Sequence, residues 1–339
     1  MRLAILDDAE GFARTQVDWA QLPDGVDMEV LGHHEDADDL ARRLADVEIV
    51  LGMRERTAFP RALLERLPNL QLLITTGRRN ASFDIAAATD LGIVVAGAPG
   101  AGQGTAELTW ALILAVLRRV VVEDRAVRQG RWGTTVGVEA AGRTLGVLGL
   151  GRVGAAVARI AQAFDMQVLA WSPNLTPDRA AAHGATAVAM HVLLRRADVV
   201  SLHVRLTDDT RGMIGAHELG LLRPTAVVIN TSRGPVIDEA ALLAALRSGA
   251  IAGAGLDVYA KEPLPAGHPL TALDNVVLLP HRGYVTDTGF AAFYRNAIEV
   301  IDGMVTGRAV RMLNPEVLDS PRLRAAHLRD RDGVTRDGH

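Results

Sequence analysis

Cysteine is absent from the 339 residues. A disulfide scaffold, thiolate catalysis and cysteine-bound zinc are therefore excluded, and no metal site is expected. Aromatic residues make up only 4 % of the chain, so the apolar volume must come from Ala, Val, Leu and Ile. That composition suits buried parallel strands flanked by helices. Neither sign of charge dominates, with 36 Lys and Arg against 40 Asp and Glu. Such a balance calls for neither nucleic acid nor an anionic membrane as partner. No apolar run reaches the ~18 residues of a membrane span. The N-terminus, MRLAILDDAEG, lacks a basic region followed by a long apolar stretch. No secretory signal is expected, and a soluble cytoplasmic protein is the plain reading. Repeats at solenoid periods are missing as well.

What is present is length and apolar content. The chain suffices for two domains of roughly 100–200 residues each. Its 49 % hydrophobic content supplies sizeable cores and argues against a disordered or fibrous chain. In the first hundred residues, segments 2–6, 48–51, 70–75 and 93–95 read as strands, and 38–45 and 61–67 as helices. Pro60 stands where a helix begins, a place that tolerates its missing N–H. The glycine-rich stretch 97–104 (GAPGAGQG) reads as a hinge. Residues 105–119 follow as a long helix, apolar around most of its circumference and hence buried. From Thr144 the alternation restarts, with candidate strands at 145–148, 167–171, 198–202, 226–230, 253–257 and 276–279. Candidate helices include 152–164 and 238–248, and another long one spans about 285–306. This is the layout of a doubly wound dinucleotide fold. After Asp319 the chain is charged and poor in large apolar residues, and is expected to be a mobile tail or a short surface helix.

Gly149-Leu150-Gly151-Arg152-Val153-Gly154 follows an apolar strand and opens an amphipathic helix. The first Gly suits a tight turn, the second the approach of a pyrophosphate, and the third close helix–strand packing. The helix N-terminus offers free N–H groups to phosphate. Taken alone, such spacing also suits a plain strand–helix turn; the flanking strand and helix point to the dinucleotide. An acidic residue about 20 positions on would bind the adenosine ribose. Here the strand ends in Ser172-Pro173-Asn174 instead, and Asp165 lies at its wrong end. Ser172 can hydrogen-bond the ribose and carries no charge to repel a 2′-phosphate. The nearest cations are Arg152 and Arg179. NAD is narrowly preferred over NADP. His203, after the strand 198–202, is expected to line the cofactor cleft without a catalytic role.

Three further stretches end candidate strands on the same carboxyl edge: Asn230-Thr231-Ser232-Arg233-Gly234, Asp257-Val258-Tyr259-Ala260-Lys261-Glu262-Pro263 and Pro280-His281-Arg282-Gly283. Each has an ordinary reading alone, as a surface ion pair, a solvated loop and a turn histidine. In this order, beside the GLGRVG loop, they resemble the D-isomer-specific 2-hydroxyacid dehydrogenase family. The resemblance covers roughly residues 45–315. Thr105-Ala106-Glu107 and the segment 75–80 agree with it.

The resemblance implies an α/β protein of two doubly wound parallel-sheet domains, a Rossmann cofactor domain (102–283) inserted into a flavodoxin-like substrate domain (1–101 and 284–320). It leaves 321–339 as the tail. It assigns Arg233 to the substrate carboxylate and carbonyl, His281 as acid/base, Glu262 as its partner and Asp257 to the nicotinamide carboxamide. The backbone at Gly77 and Arg78 receives the substrate carboxylate. Motif and resemblance together place Gly149, Gly151, Arg152, Val153, Gly154, Ser172, His203, Thr231, Ser232, Asp257, Gly283 and Thr105 at the cofactor. The chemistry fits these residue types. Oxidising a 2-hydroxy acid removes a hydride from C2 and a proton from the hydroxyl. A base near neutral pKa takes the proton, a carboxylate stabilises the imidazolium, and a planar guanidinium grips a carboxylate. Formate dehydrogenases of the family carry Gln in place of Glu262, so formate is not expected.

Arg54, Arg56, Arg78, Arg79 and Arg282 are candidates to surround one cleft, which would suit an acid with more than one negative charge, such as a phosphorylated one. The stretches 110–122 and 125–132 fit a two-fold homodimer interface, as in the family. Two alternatives stand beside a dehydrogenase of hydroxy acids. One is a non-catalytic NAD-sensing corepressor on the same scaffold; the other is a phosphite-type dehydrogenase.

Overall fold

The structure, a computed structural model, describes residues 1–8, 11–32 and 36–329. The chain divides into two compact units, Met1–Gly102 with Thr286–His339, and Gln103–Val285. It opens with β1 (Arg2–Leu6), β2 (Asp27–Leu31), α1 (Ala37–Arg43), β3 (Ile49–Gly52), α2 (Arg61–Leu64), β4 (Leu72–Thr76), α3 (Ile85–Asp90) and β5 (Val94–Ala98). These five strands form one parallel sheet in the order β2-β1-β3-β4-β5. That is the flavodoxin-like order, with its switch point between β1 and β3. Because side chains alternate across a strand, Ala4, Leu6, Val50, Leu73 and Val95 pack with Leu40, Leu44, Leu63, Leu64 and Ala88 of the helical layer. The intervening Leu3, Ile5, Leu51 and Ile74 are buried too.

The second unit runs through α4 (Gly104–Leu117), α5 (Val120–Arg128), β6 (Thr144–Leu148), α6 (Arg152–Ala163), β7 (Gln167–Trp171), α7 (Pro177–Ala181), β8 (Thr186–Ala187), α8 (Met190–Arg196), β9 (Val199–Leu202), α9 (Ala216–Gly220), β10 (Val227–Asn230), α10 (Glu239–Ser248), β11 (Gly253–Leu256) and β12 (Val276–Leu278). Its seven strands are all parallel, in the order β12-β11-β10-β9-β6-β7-β8. Numbered within the unit this is 7-6-5-4-1-2-3, the Rossmann order with one strand added. The order reverses between β6 and β9, where ligands bind in such sheets. One core joins Ala106, Trp110, Ile113 and Val116 of α4 to Val157, Ala158 and Ala161 of α6. The other joins Leu193, Leu219, Leu242 and Leu246. Trp110 stacks on Phe164 with ring centroids 4.7 Å apart.

The chain returns to the first unit with α11 (Asp287–Val305), which packs on β4 and β5. Phe290, Phe293 and Tyr294 are its buried anchors. Beyond it the fully buried Asn314 accepts from Val95 N at 2.8 Å and donates to Ile93 O at 2.9 Å, pinning the returning chain to β5.

Several sequence expectations are corrected. The helix expected over 105–119 ends at Leu117; Arg119 takes a left-handed φ of 55° and a second helix, α5, follows. Trp110, Leu112, Ile113, Val116 and Leu117, assigned to a subunit interface, are buried inside their own unit. The exposed apolar side chains of that region are Val120, Val121, Val127, Trp132, Val136 and Val138. Residues 321–329 are no tail. Leu323, Ala325 and Leu328 are buried, and Arg324 donates to Leu91 O, Leu67 O and Leu70 O, carbonyls left open by turns after α2 and α3. The rest of the expected tail, 330–339, lies outside the described residues. Among the described residues no helix is long and apolar enough to cross a membrane.

Candidate active site

The glycines of the phosphate loop divide their work as their surroundings dictate. Gly149 follows β6 with φ 101°, and a Cβ there would lie 2.7 Å from His203 C and O, where the loops after β6 and β9 cross. A Cβ on Gly154 would lie 2.1 Å from Gly149 O, so the first turn of α6 rests directly on the loop. At Gly151 a Cβ would meet nothing within 4 Å. Space is therefore open where a pyrophosphate needs it, beside the exposed Arg152, the half-buried Val153 and the free first turn of a twelve-residue helix. Ser172, at the end of β7, accepts from Leu150 N at 2.8 Å. Its hydroxyl oxygen thereby braces the loop. Arg179 donates to Asn174 O at 3.0 Å. The site fits a dinucleotide.

His203, at the end of β9, shares a 2.9 Å hydrogen bond between Nε2 and Ser201 Oγ. Burial of the ring pushes its pKa down to about 4, so it stays neutral near pH 7. It braces the crossing at Gly149 rather than titrating.

Arg233, Glu262 and His281 follow β10, β11 and β12, three adjacent parallel strands whose carboxyl ends share one edge. Asn230 closes β10 and holds the turn: its Oδ1 accepts from Ser232 N at 3.0 Å and Ser232 Oγ at 2.9 Å, and its Nδ2 donates to Arg233 O at 3.0 Å. Thr231 Oγ1 meets Thr109 Oγ1 of α4 at 2.8 Å. Thr105 Oγ1 donates to Gly283 O at 2.9 Å. The start of α4 thus ties the loop after β10 to the loop after β12.

His281 Nδ1 lies 2.7 Å from Glu262 Oε2. Nδ1 is thereby engaged, and Nε2 is the ring nitrogen left for a substrate. His281 has φ 55°, a left-handed conformation that costs about 1 kcal/mol or more and clusters at functional sites. The loop is held there by Asp257, which accepts from Arg282 N at 2.6 Å and Gly283 N at 2.8 Å. Burial raises the Asp257 carboxyl above its ordinary value, with those two N–H groups opposing. For Glu262 burial also pushes upward. The hydrogen bonds from His281 and Tyr259 N, with the charges of His281 and Arg233, outweigh it and hold the carboxyl below its usual range. This is an ionised carboxylate paired with an imidazole next to a guanidinium, an arrangement able to move one proton at a bound carbonyl or hydroxyl.

In the first unit, Arg54 follows β3 with φ 53°. Its N–H donates to Thr76 Oγ1 at 2.9 Å and its Nη1 to Thr76 O at 3.3 Å. Gly77 (φ 144°) leaves room for that guanidinium; a Cβ would lie 2.4 Å from Arg54 Nη1. The Gly77 N–H is spent on Ala98 O at 2.7 Å. Arg56 Nη1 donates to Asp7 O at 2.7 Å. Arg78 and Arg79 project into solvent.

The model of the NAD-binding domain of the D-isomer specific 2-hydroxyacid dehydrogenases matches residues 110–283. The chain belongs to that family. As a 2-hydroxyacid dehydrogenase it is an oxidoreductase with a Rossmann NAD-binding domain. A glyoxylate reductase of Aeropyrum pernix is 44 % identical over 234 residues, 66 % of this chain and 70 % of that protein. A D-3-phosphoglycerate dehydrogenase of Archaeoglobus fulgidus is 37 % identical over 276 residues, covering 80 % of this chain and 52 % of the relative. A solved phosphoglycerate oxidoreductase of Vibrio cholerae superposes with a TM-score of 0.84 at 33 % identity, covering 90 % of this chain and 99 % of that one.

Sequence reasoning passed over Asn230, Thr109 and Tyr259. Asn230 had a local signal, since an Asx residue closing a strand before Thr-Ser-Arg-Gly suits a side-chain-held turn. Thr109 and Tyr259 had none for their long-range partners, Thr231 and Leu279, which lie 122 and 20 residues away.

Proposed function

We propose that this 2-hydroxyacid dehydrogenase interconverts a small 2-keto acid and its D-2-hydroxy acid, with NAD as the narrowly preferred dinucleotide over NADP. The observation that carries the reading is the 2.7 Å contact of His281 Nδ1 with Glu262 Oε2. In the reductive direction the Arg233 guanidinium holds the substrate carboxylate and polarises the carbonyl. In the first unit the Arg78 N–H, which has no partner among the described residues, is a backbone donor open to an anion, whereas the Gly77 N–H is spent on Ala98 O. The bound dinucleotide supplies the hydride to C2. His281 Nε2–H gives its proton to the carbonyl oxygen, and ionised Glu262 balances the imidazolium until that transfer. Ser172 in place of an acid removes the charge that would exclude a 2′-phosphate, so NADP is tolerated.

Arg54 and Arg56 are drawn onto their own backbone. A second negative charge on the substrate would therefore be met by Arg78 and Arg79, and we place phosphorylated or dicarboxylic keto acids within the substrate range. The exposed Val120, Val121, Val127, Trp132 and Val136 supply an apolar surface for a homodimer in the cytoplasm.

The test follows absorbance at 340 nm with NADH and NADPH against glyoxylate, hydroxypyruvate, pyruvate, 2-ketoglutarate and phosphohydroxypyruvate. Turnover should fall about 10²–10⁴-fold in His281→Ala while dinucleotide binding persists. Dinucleotide binding without turnover of any acid would point to a sensor instead.

A further inference from the structure

We propose that Glu239 and His268 are positioning residues of the catalytic centre, forming a strap that sets the loop carrying Glu262 against the turn carrying Arg233. The proposal rests on the reading of Glu262 as the working partner of His281. Glu239 is the first residue of α10, which begins six residues after Arg233. Its carboxylate reaches across to the next loop with both oxygens. Oε1 lies 3.2 Å from His268 Nε2, and Oε2 accepts from Ala260 N at 3.4 Å. These two contacts bracket Glu262, one just before it and one after it in the chain. His268 Nδ1 accepts from Leu270 N at 3.3 Å, so the neutral ring carries its proton on Nε2 and donates it to Glu239. The two side chains are only 27 % and 14 % exposed, which shields the pair from competing water.

Packing alone does not set this loop. A Cβ on Gly234 would fall 1.9 Å from Tyr259 C and O, so the two segments touch there. Beside that contact a small cavity opens, walled by Asn230, Ile237, Leu242, Tyr259, Ala260 and Leu270. Among the described residues, the hydrogen-bond partners of the Glu262 carboxylate are Tyr259 N and His281. Tyr259 is anchored by its hydroxyl on Leu279 O at 2.8 Å, so the stretch the strap acts on is Ala260 to His268, and drift of that stretch would draw Glu262 away from the imidazole. The polar strap opposes that movement.

The experiment compares Glu239→Ala, His268→Leu and His268→Gln with wild type, in the full chain. Gln places a donor near the position of Nε2 and so keeps the strap. In reduction of a keto acid, the first two variants should lose about tenfold in kcat, with KM and NADH affinity within about twofold. His268→Gln should recover most of that loss. Independently of turnover, carbon-13 NMR of the Glu262 carboxyl, identified by its loss in Glu262→Gln, should show its titration midpoint rising in Glu239→Ala as the bonds from Tyr259 N and His281 lengthen. An unchanged Glu262 midpoint overturns the proposal, as does loss of activity that His268→Gln fails to restore. A wild type that turns over no keto acid refutes the functional reading instead, and the carboxyl titration then decides the strap by itself.

Discussion

At the residue scale, the paired His281 and Glu262 need different things from each other. His281 needs a fixed tautomer and a counter-charge; Glu262 needs donors that keep it ionised. Glu262→Gln preserves an acceptor for Nδ1 but removes the counter-charge. A hydrogen bond to a charged group is worth ~1.5–3 kcal/mol, so kcat should fall roughly 10–100-fold in steady-state assays. The sign of the pH effect follows from the lowered carboxyl. Because its folded pKa lies below the ordinary carboxylate range, the pair's contribution to stability is full above that range and is lost as pH falls through the lowered value. Wild type should therefore lose thermal stability through this acid window with a steeper slope than Glu262→Gln, as calorimetry across pH 3–6 would record. Position after a strand at the carboxyl edge marked each side chain as a candidate, but their pairing was legible only through the resemblance to the family. Their supports, such as Thr109 beneath Thr231, were not legible, because a contact across 122 residues leaves no local pattern.

At the element scale, the loop between β6 and α6 separates folding from binding. Gly154→Ala forces a methyl to 2.1 Å from Gly149 O and should cost about 1–3 kcal/mol, seen as a lower thermal midpoint. Gly151→Ala adds its methyl to open space. It should leave the midpoint within about a degree yet weaken dinucleotide binding, by fluorescence titration, because the pyrophosphate needs that space. Equal loss of stability in both would refute the division. The elements that could be read directly were the apolar ones. β4 and β9 are buried along their whole length and open on apolar runs, with only small hydroxyl residues, Thr75, Thr76 and Ser201, among them. β2, an edge strand reading DMEVL, is half polar and carries no such signal. The sequence reading ended the first helix at 119 but gave no helix after it: α5 restarts at once from Arg119, whose left-handed turn no side chain announces. The segment after Asp319 misled because its charges dominate, although Leu323, Ala325 and Leu328 are spaced to reach a core.

At the scale of the whole molecule, the exposed apolar arm calls for a partner. Trp132 is 87 % and Val136 91 % exposed, values a monomer in water seldom keeps together on one short segment. Trp132→Asp with Val136→Asp should halve the mass found by sedimentation at micromolar concentration and leave far-ultraviolet circular dichroism unchanged; an unaltered mass would place the interface elsewhere. The order of the chain has a different consequence. The dinucleotide-binding unit is one unbroken stretch, Gln103–Val285, whereas the first unit draws on both ends. During synthesis the middle of the protein can finish folding while the first sheet still waits for Phe290, Phe293 and Tyr294 to close over β4 and β5 and for Asn314 to meet Val95 N. A nascent chain interrupted near residue 285 would hold a complete nucleotide fold together with the largely apolar strands β4 and β5 not yet covered by α11, which is the species a ribosome-associated chaperone would have to shelter.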